Sequence, residues 1–349
     1  MPRKSKHPTS EDGLIRQLQA RYPVKSPFIK KGIGDDAAVI HPHGAKEYWV
    51  ITTDMLLEGI DFRREWTNPR KLGCKSISVN LSDIAAMGAR PRFFTISLAI
   101  PPGISERWIL EFQDGLTEKG ISFGAHLIGG DLSSSENSIM ISIAAVGESL
   151  NRRVLYRSGG NAGDFLYVTG VLGRSAAGLE LLQAGDVRSR SRSKREALQA
   201  HHEPEPRCEA GLWLAQSGLV SCMIDLSDGL SMDLPRLCAA SRTGAEICMS
   251  DLPVLSESSR WGCDPVELAL HGGEDYELLF AVPEPKSRLL GNTYPADFPP
   301  ISRIGVLSGD VGSIWIIGDA NGRQPLMQRG FDHFAGQSEK RKTSRARRP

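Results

Sequence analysis

The chain has 349 residues, of which 40% are hydrophobic, 24% charged and 7% aromatic, and its formal net charge at pH 7 is +1. This composition excludes a disordered, collagen-like or disulfide-stapled chain, and the length predicts about two domains. No apolar run approaches the roughly 18 residues that a transmembrane helix needs, so the sequence predicts no membrane span.

The charge is unevenly distributed along the chain. Basic residues are concentrated in residues 1–10, 188–196 and 339–349, and the remainder is acidic. We predict basic, flexible tails at residues 1–12 and 336–349, because both stretches are polar and lack a hydrophobic period. Aromatic side chains do not interleave with the basic ones, which argues against nucleic-acid binding by these segments.

The six cysteines form no CxxC pair or other metal-ligand spacing, which favours reduced thiols over disulfides. The N-terminal segment is basic and lacks the apolar stretch of a secretory signal. We therefore predict a cytoplasmic protein.

The first half of the chain alternates strand and helix signals. A strand at 48–53 is expected to end at Asp54, and Asn68-Pro69 supplies the N-cap and first-turn proline of a helix that ends at Gly88. Further elements are predicted as a strand at 93–100, a helix from Ser105, a strand at 126–128 leading into Gly129-Gly130-Asp131, and an alternating strand at 139–143.

Residues 151–164 are polar and glycine-rich, and they mark a predicted boundary between domains at 13–150 and 151–335. The second domain is predicted to contain strands at 165–169, 220–224, 276–282, 301–306 and 313–317, helices at 175–184, 208–216 and 228–240, and a polar insertion at 186–206. This alternation predicts an α/β protein.

Six short segments place carboxylates at predicted strand ends or helix starts. They are GIGDD (32–36), TTD (52–54), NLSD (80–83), GGD (129–131), DLSDG (225–229) and GGED (272–275). Loops at strand ends converge on a crevice in α/β proteins, and carboxylate and hydroxyl oxygens suit Mg²⁺. Taken singly, each aspartate would be a helix cap or a turn residue, but together the six predict a magnesium site. A GxxxxGK[ST] loop is absent from the sequence, so ATP would be held through metal ions and backbone amides.

These segments belong to a longer series of motifs: GIGDDAAVI, TTDMLLEG, SVNLSDIAAMGARP, LIGGD, RSG, DLSDGL, GGEDYEL and GFDHF, in this order from Gly32 to Phe334. The series resembles the thiamine-monophosphate kinases, which belong to the wider superfamily of aminoimidazole ribonucleotide synthetase. The resemblance implies a two-domain α/β (α+β type) fold with mixed sheets and flanking helices in each half. It also implies a homodimer formed by the N-terminal domains, which bind metal and ATP. The implied reaction is ATP-dependent phosphorylation of thiamine monophosphate to thiamine diphosphate, assisted by several Mg²⁺ ions.

The resemblance also implies roles for individual residues. The implied ligands of the magnesium cluster are Asp36, Thr52, Thr53, Asp54, Asp83, Asp131, Asp225 and Asp228, and the expected catalytic carboxylates are Asp54, Asp83, Asp131 and Asp225. The implied ATP contacts are Gly130, Asp131, Arg157 and Ser227. The implied substrate contacts are Asp61, Glu274 and Phe331.

Two substrate positions depart from the family pattern. Asp61 stands where the family usually has a histidine, and an ionised aspartate would repel the substrate phosphate. It could instead face the thiazolium cation, bind a metal ion or take no part. Phe331 replaces a commoner tyrosine, so the ring is kept and the hydroxyl is lost.

Two alternative interpretations stay open at this point. The chain could be another ATP-dependent member of the superfamily, although it lacks the reactive N-terminal cysteine of selenophosphate synthetase and the C-terminal cysteine of a hydrogenase-maturation factor. It could also be a catalytically silent nucleotide-binding protein, against which the retention of all eight implied metal ligands argues.

Overall fold

The computed structural model describes residues 10–188, 191–318 and 322–333. The predicted tail at 336–349 and residues 1–9 of the predicted N-terminal tail lie outside this part of the chain. Glu11 and Asp12, which the sequence placed in that tail, form the first turn of a helix capped by the Ser10 hydroxyl. No helix among the described residues is both long and apolar enough to cross a membrane.

The helices of the described residues are α1 Glu11–Arg21, α2 Pro69–Ala86, α3 Glu106–Ser122, α4 Arg174–Gln183, α5 Arg192–His202, α6 Cys208–Ser217, α7 Leu230–Ser241, α8 Pro265–His271 and α9 Glu284–Thr293. Short 3-10 turns occupy Met249–Asp251 and Ser256–Trp261. The strands are β1 Ile29–Lys31, β2 Ala38–Ile40, β3 Trp49–Leu57, β4 Arg90–Ile100, β5 His126–Ser134, β6 Met140–Glu148, β7 Phe165–Thr169, β8 Cys222–Asp225, β9 Gly244–Cys248, β10 Leu278–Val282, β11 Ile301–Ser308, β12 Ile314–Gly318 and β13 Gly322–Pro325.

Each half of the chain builds one mixed sheet. The N-terminal sheet has the order β1-β2-β3-β6-β4-β5, in which only β4 and β5 pair in parallel. The C-terminal sheet has the order β13-β12-β9-β11-β7-β10-β8, in which only β12 and β9 pair in parallel. The expected α/β fold with mixed sheets and flanking helices in both halves is confirmed.

Two of the aspartates expected at strand ends lie inside strands instead. The strand predicted to end at Asp54 continues as β3 to Leu57, and the strand predicted at 126–128 continues as β5 to Ser134 and contains Asp131. Glycines are rare within strands, so the pair Gly129-Gly130 resembles a turn in the sequence. The backbone of β4 lies so close to Gly130 that a Cβ there would be 2.3 Å from the Ile96 carbonyl oxygen.

The N-terminal sheet buries one face and exposes the other. Its inner face packs against α2 through side chains such as those of Val50, Ile141 and Ile143. On the open face, Met55 is 61% exposed, and Trp49, Phe93 and Met140 are exposed as well. We call this surface the open sheet face.

Helix α2 is buried over most of its length. It begins as the sequence predicts, because the Asn68 side chain accepts a hydrogen bond from the Lys71 N–H and Pro69 fills the first turn. The helix crosses α3 at two glycines, Gly73 and Gly115. A Cβ at Gly73 would lie 2.1 Å from the Phe112 carbonyl oxygen, so the crossing requires residues without side chains.

The two domains share a hydrophobic core. One cluster of buried side chains joins Ile77 and Leu81 of α2 to Leu214 of α6, Met223 of β8 and Phe280 of β10. This shared core holds the two halves against each other and positions the end of α2 beside the end of β8.

Candidate active site

Three carboxylates from distant parts of the sequence meet between the domains. Asp36 lies in the loop before β2, Asp83 in the last turn of α2, and Asp225 at the end of β8. One carboxylate oxygen from each lies within 4.8 Å of the other two. We call this group the carboxylate cluster, and its oxygen atoms can be bridged by a cation.

Neighbouring side chains fix the orientation of the carboxylate cluster. The Thr52 hydroxyl donates a hydrogen bond to Asp83 Oδ2, and the Ser82 hydroxyl donates one of 2.5 Å to Asp225 Oδ2. Asp54 lies nearby on β3, where its backbone N–H donates to Asn80 Oδ1 over 3.1 Å. Thr52 and Asp54 are two residues apart in a strand, so both side chains lie on the inner face of the sheet.

Burial raises the pKa of Asp54, Asp83 and Asp225. The pKa of Asp54 is raised to about 6 by burial and by the charges of Asp228 and Asp61. The pKa of Asp225 is also raised to about 6, because burial outweighs the hydrogen bond from Ser82 and the charge of Arg157. Burial, Asp54 and Asp225 raise the pKa of Asp83 well above its ordinary value. Full ionisation of the group therefore requires compensating positive charge.

Arg157 supplies part of that charge. Its Nε and Nη2 atoms donate hydrogen bonds of 2.9 and 2.5 Å to Asp36 Oδ1. Burial nevertheless raises the pKa of Asp36 to about 7. The other oxygen, Oδ2, is buried and has no hydrogen-bond partner among the described residues. Asp36 thus keeps one carboxylate oxygen free for a cation.

Asp228 lies beside the carboxylate cluster in a separate ion-pair network. Arg236 of α7 places Nη1 2.6 Å from Asp228 Oδ2 and 2.7 Å from Asp233 Oδ1. The Nε of the same arginine lies 3.1 Å from Asp12 Oδ1. This network connects α1 to the loop that follows β8. Glu11, the neighbour of Asp12, lines the same cavity as Asp54 and Asp228.

Thr53 and Asp131 do not join the carboxylate cluster within one chain. The Thr53 hydroxyl donates to the Ile143 carbonyl oxygen over 2.9 Å on the open sheet face. Asp131 lies on the edge strand β5, in register with Ser97, and is exposed. Three strand spacings separate β5 from β3, which is about 14 Å.

A cavity of about 920 Å³ opens beside the carboxylate cluster and is lined by both domains. Four of the residues expected to contact ATP or substrate lie in its wall, namely Ser227, Asp61, Glu274 and Phe331. Asp54, Asp83, Asp225 and Asp228 line it as well. Arg157, another expected ATP contact, does not line this cavity, and its side chain pairs with Asp36.

The two atypical substrate positions differ in their surroundings. Asp61 turns back on its own segment, because its Oδ2 accepts a hydrogen bond of 2.7 Å from the Leu57 N–H, and burial raises its pKa. Phe331 is 44% exposed at the cavity wall and makes an edge-to-face contact with His333, with ring centroids 4.7 Å apart.

Several side chains of the cavity wall were not predicted from the sequence, among them those of Trp66, Lys75, His201 and His202. Lys75 has a signal in the sequence. Together with Leu72, Val79 and Asp83 it forms a series spaced by three and four residues along α2, and this spacing defines one face of a helix. All four residues line the cavity.

The architecture matches the class of AIR synthase related proteins. Residues 34–149 match the N-terminal domain of that class and residues 161–316 match its C-terminal domain. The hydrogenase maturation protein HypE in complex with ATP aligns with a TM-score of 0.65 over 90% of this chain and 94% of its own. At 16% identity this likeness is limited to the fold.

Closer similarity is found to one family within the class. The thiamine-monophosphate kinase of Bacillus subtilis (strain 168) is 33% identical over 326 residues, covering 93% of this chain and 99% of the relative. A solved structure of AaThiL complexed with AMPPCP and TMP aligns with a TM-score of 0.80 and 31% identity, covering 93% and 97% of the two chains. The chain belongs to the thiamine-monophosphate kinase family.

Proposed function

We propose that this chain catalyses the ATP-dependent phosphorylation of thiamine monophosphate to thiamine diphosphate, the final step of thiamine diphosphate biosynthesis. The observation that carries the proposal is the carboxylate cluster beside a large cavity in a member of this family. The AaThiL structure supports it, because AMPPCP is an analogue of ATP that cannot transfer its terminal phosphate. A catalytically silent protein would not need to retain this cluster.

Magnesium is the metal ion that best fits the carboxylate cluster. The three carboxylates offer hard oxygen ligands within 4.8 Å of one another, and Asp36 Oδ2 is buried without a partner among the described residues. The residues that would hold several ions are Asp36, Thr52, Asp54, Asp83, Asp225 and Asp228. When bound, Mg²⁺ neutralises the charge that donor and acceptor phosphates bring together.

The acceptor explains why the reaction requires no general base. A phosphate monoester has a second pKa near 6, so thiamine monophosphate is largely a dianionic nucleophile at about pH 7. We infer direct in-line transfer from ATP without a phosphoenzyme. Asp54, Asp83 and Asp225 act by fixing the point at which the two phosphates meet.

The substrate contacts follow from the cavity wall. Ser227 and Arg157 are proposed ATP contacts, since Ser227 lines the cavity and the Arg157 side chain stays 23% exposed beside Asp36. Glu274 and Phe331 are proposed contacts of the organic part of thiamine monophosphate. Asp61 also lines the cavity, and its carboxylate accepts a hydrogen bond from the Leu57 N–H. We assign it to the part of the wall that faces the thiazolium cation.

A homodimer formed through the open sheet face would complete the site. Exposed apolar side chains on a sheet face favour burial against a partner, and Met55, Phe93 and Met140 provide them. Thr53 and Asp131 lie on this same face and cannot reach the carboxylate cluster of their own chain. We propose that Gly130 and Asp131 contribute to ATP and metal binding in the site of the other subunit.

We assign the protein to the cytoplasm. All six cysteines are free thiols, and Cys208, Cys222 and Cys238 are buried. Reduced, buried cysteines are typical of reducing compartments.

The assay that tests the proposed function uses purified protein with ATP, Mg²⁺ and either thiamine monophosphate or free thiamine. We expect thiamine diphosphate from the monophosphate only, and a loss of at least 100-fold in kcat in Asp83→Asn. Circular dichroism checks that the variant is folded. Product from free thiamine alone, or no product from the monophosphate, would overturn the assignment.

A further inference from the structure

Helix α1 is anchored at its first turn to the loop after β8. Arg236 Nε donates a hydrogen bond of 3.1 Å to Asp12 Oδ1, and Nη1 of the same arginine donates one of 2.6 Å to Asp228 Oδ2. The buried Asp233 completes the group, because its Oδ1 lies 2.7 Å from Arg236 Nη1 and its Oδ2 accepts from the Asp228 N–H over 3.0 Å. One guanidinium thus holds three carboxylates, of which Asp228 is a proposed metal ligand.

The other end of α1 is anchored to the loop before β2. Gln19 Nε2 donates a hydrogen bond of 2.8 Å to the carbonyl oxygen of Ile33, three residues before Asp36. The Gln19 amide also lies over Gly34, where a Cβ would be 2.7 Å from Nε2 and where the φ of 109° favours glycine. This anchor therefore acts on the loop that supplies Asp36 to the carboxylate cluster.

Both anchors lie on one face of α1. Asp12 and Gln19 are seven residues apart, about two helical turns, so their side chains project from the same side and their Cα atoms are about 10 Å apart. The two loops belong to different domains, since one precedes β2 and the other follows β8. Glu11 lines the cavity, so the start of α1 lies at the cavity wall. The helix therefore connects the two domains beside the proposed metal site.

Apolar burial contributes little to the docking of α1. All eleven residues of this helix lie in the described part of the chain, and none of them is buried. Ile15 and Leu18 are 36% and 40% exposed. A helix of this length is marginally stable alone, and most helical stability in proteins comes from a packed apolar face. The two polar anchors therefore hold α1 in place, and local opening of α1 should cost far less free energy than unfolding of the whole chain.

The two ligands beside α1 are held in the same way. In each, an arginine donates to one carboxylate oxygen, Arg157 to Asp36 Oδ1 and Arg236 to Asp228 Oδ2. The position of the other oxygen then depends on the loop to which the aspartate belongs. A shift of either loop moves a ligand atom, and Mg²⁺ tolerates little departure from octahedral geometry.

We propose that α1 is a strap that holds the loops of Asp36 and Asp228 at the separation that Mg²⁺ requires. Its positioning residues are Asp12 and Gln19. Docking of α1 and binding of Mg²⁺ must then strengthen each other by the same factor. This inference rests on the proposed function and adds to the magnesium site a helix that supplies no ligand to the carboxylate cluster.

The strap is tested with Mg²⁺ alone, without nucleotide or acceptor. EDTA-treated protein is titrated with MgCl₂ at pH 8, and the rise in melting temperature gives the Mg²⁺ concentration of half-maximal effect. Gln19→Ala should raise this concentration about threefold or more, because it removes a hydrogen bond of α1 without changing any charge. Gln17→Ala is the matched control, since Gln17 is exposed on the same helix, and it should leave the concentration unchanged.

A second pair of variants separates positioning from charge. Asp12→Asn should raise the half-maximal Mg²⁺ concentration as Gln19→Ala does. Asp12→Glu keeps the carboxylate and should stay closer to wild type. A rise in Asp12→Asn without one in Gln19→Ala would assign the effect to the lost charge and would overturn the strap.

Hydrogen exchange of α1 gives an independent readout. Mass spectrometry of α1 peptides should show that Mg²⁺ slows amide exchange about threefold or more in wild type and less in Gln19→Ala. Exchange that is unchanged by Mg²⁺ in wild type would overturn the strap, as would a wild-type Mg²⁺ titration in both Gln19→Ala and Asp12→Asn.

Failure of the proposed function would look different. If Mg²⁺ does not raise the melting temperature of the wild-type protein, the proposed magnesium site is wrong and the strap with it. If the strap passes both tests and the protein forms no thiamine diphosphate from ATP and thiamine monophosphate, the proposed reaction alone is wrong.

Discussion

The residues of the carboxylate cluster are individually unfavourable where they lie. Asp83 is buried against Asp54 and Asp225, and their mutual repulsion adds to the cost of burial. Arg157 pairs with Asp36 through one carboxylate oxygen, and its charge offsets the burial of Asp225 only in part. Without metal, the cluster therefore lowers the free energy of unfolding, and ion binding offsets this loss.

This cost predicts a pH-dependent effect of magnesium on stability. The folded pKa values of Asp36, Asp54 and Asp225 are about 7, 6 and 6, above the ordinary value of about 4. A carboxyl group whose pKa is raised by folding stabilises the fold below its unfolded pKa, and this contribution is lost as the pH rises through its folded pKa. Protons and Mg²⁺ compete for the same oxygens, so Mg²⁺ should raise the melting temperature of EDTA-treated protein more at pH 8 than at pH 5.

The control for this measurement is a carboxylate on the surface. Asp83→Asn should reduce the magnesium-dependent rise at pH 8, whereas Asp114→Asn on the exposed side of α3 should not. An equal rise at both pH values would contradict the account.

The carboxylates can be predicted from the sequence because their motifs are local, whereas their partners cannot. The Arg157 to Asp36 pair joins residues far apart in the chain. Thr52 and Thr53 were both expected as metal ligands, yet adjacent residues of a strand point to opposite faces. That rule was available from the sequence once the segment was predicted as a strand.

At the scale of elements, α2 connects the cavity to the core of the fold. It contributes Lys75 and Asp83 to the cavity, and its tight crossing with α3 depends on Gly73 and Gly115. Helix α5 was not predicted, because RSKREALQAHH is strongly polar. Its buried side is formed by Ala197, Leu198, His201 and His202, and histidines are ordinarily counted as polar positions.

Substitution by alanine should have opposite effects on stability at two helical glycines, one at the crossing of α2 and α3 and one away from it. A Cβ at Gly115 would lie 2.0 Å from the Arg70 carbonyl oxygen, so Gly115→Ala should lower the free energy of unfolding by about 1–3 kcal/mol. Gly291 in α9 has open space around the Cβ position, so Gly291→Ala should raise it by about 0.5–1 kcal/mol. Urea unfolding measures both, and a neutral Gly115→Ala would show that α2 and α3 can separate without cost.

At the scale of the whole molecule, the site is distributed over two domains and, in our proposal, two subunits. The glycine-rich stretch at 151–164 lies between the two sheets, since β6 ends at Glu148 and β7 begins at Phe165. The shared core around Leu81, Met223 and Phe280 could not be predicted, because it depends on long-range packing that no local pattern encodes.

The proposed dimer predicts complementation between inactive variants. Asp131→Asn and Asp83→Asn should each be inactive alone. A heterodimer of the two, purified through distinct tags, has one site with an intact cluster and an intact Asp131 from the other subunit, and should recover about half of the wild-type activity. The pair Asp54→Asn with Asp83→Asn should recover none, since every site keeps a defect. Equal recovery by both pairs, or by neither, would contradict the shared site.

The carboxylate cluster also couples the two halves of the chain. Asp36 and Asp83 come from the first half and Asp225 from the second, so a cation held by all three would tie the halves together. Moving one half against the other would therefore break metal contacts as well as the contacts of the shared core.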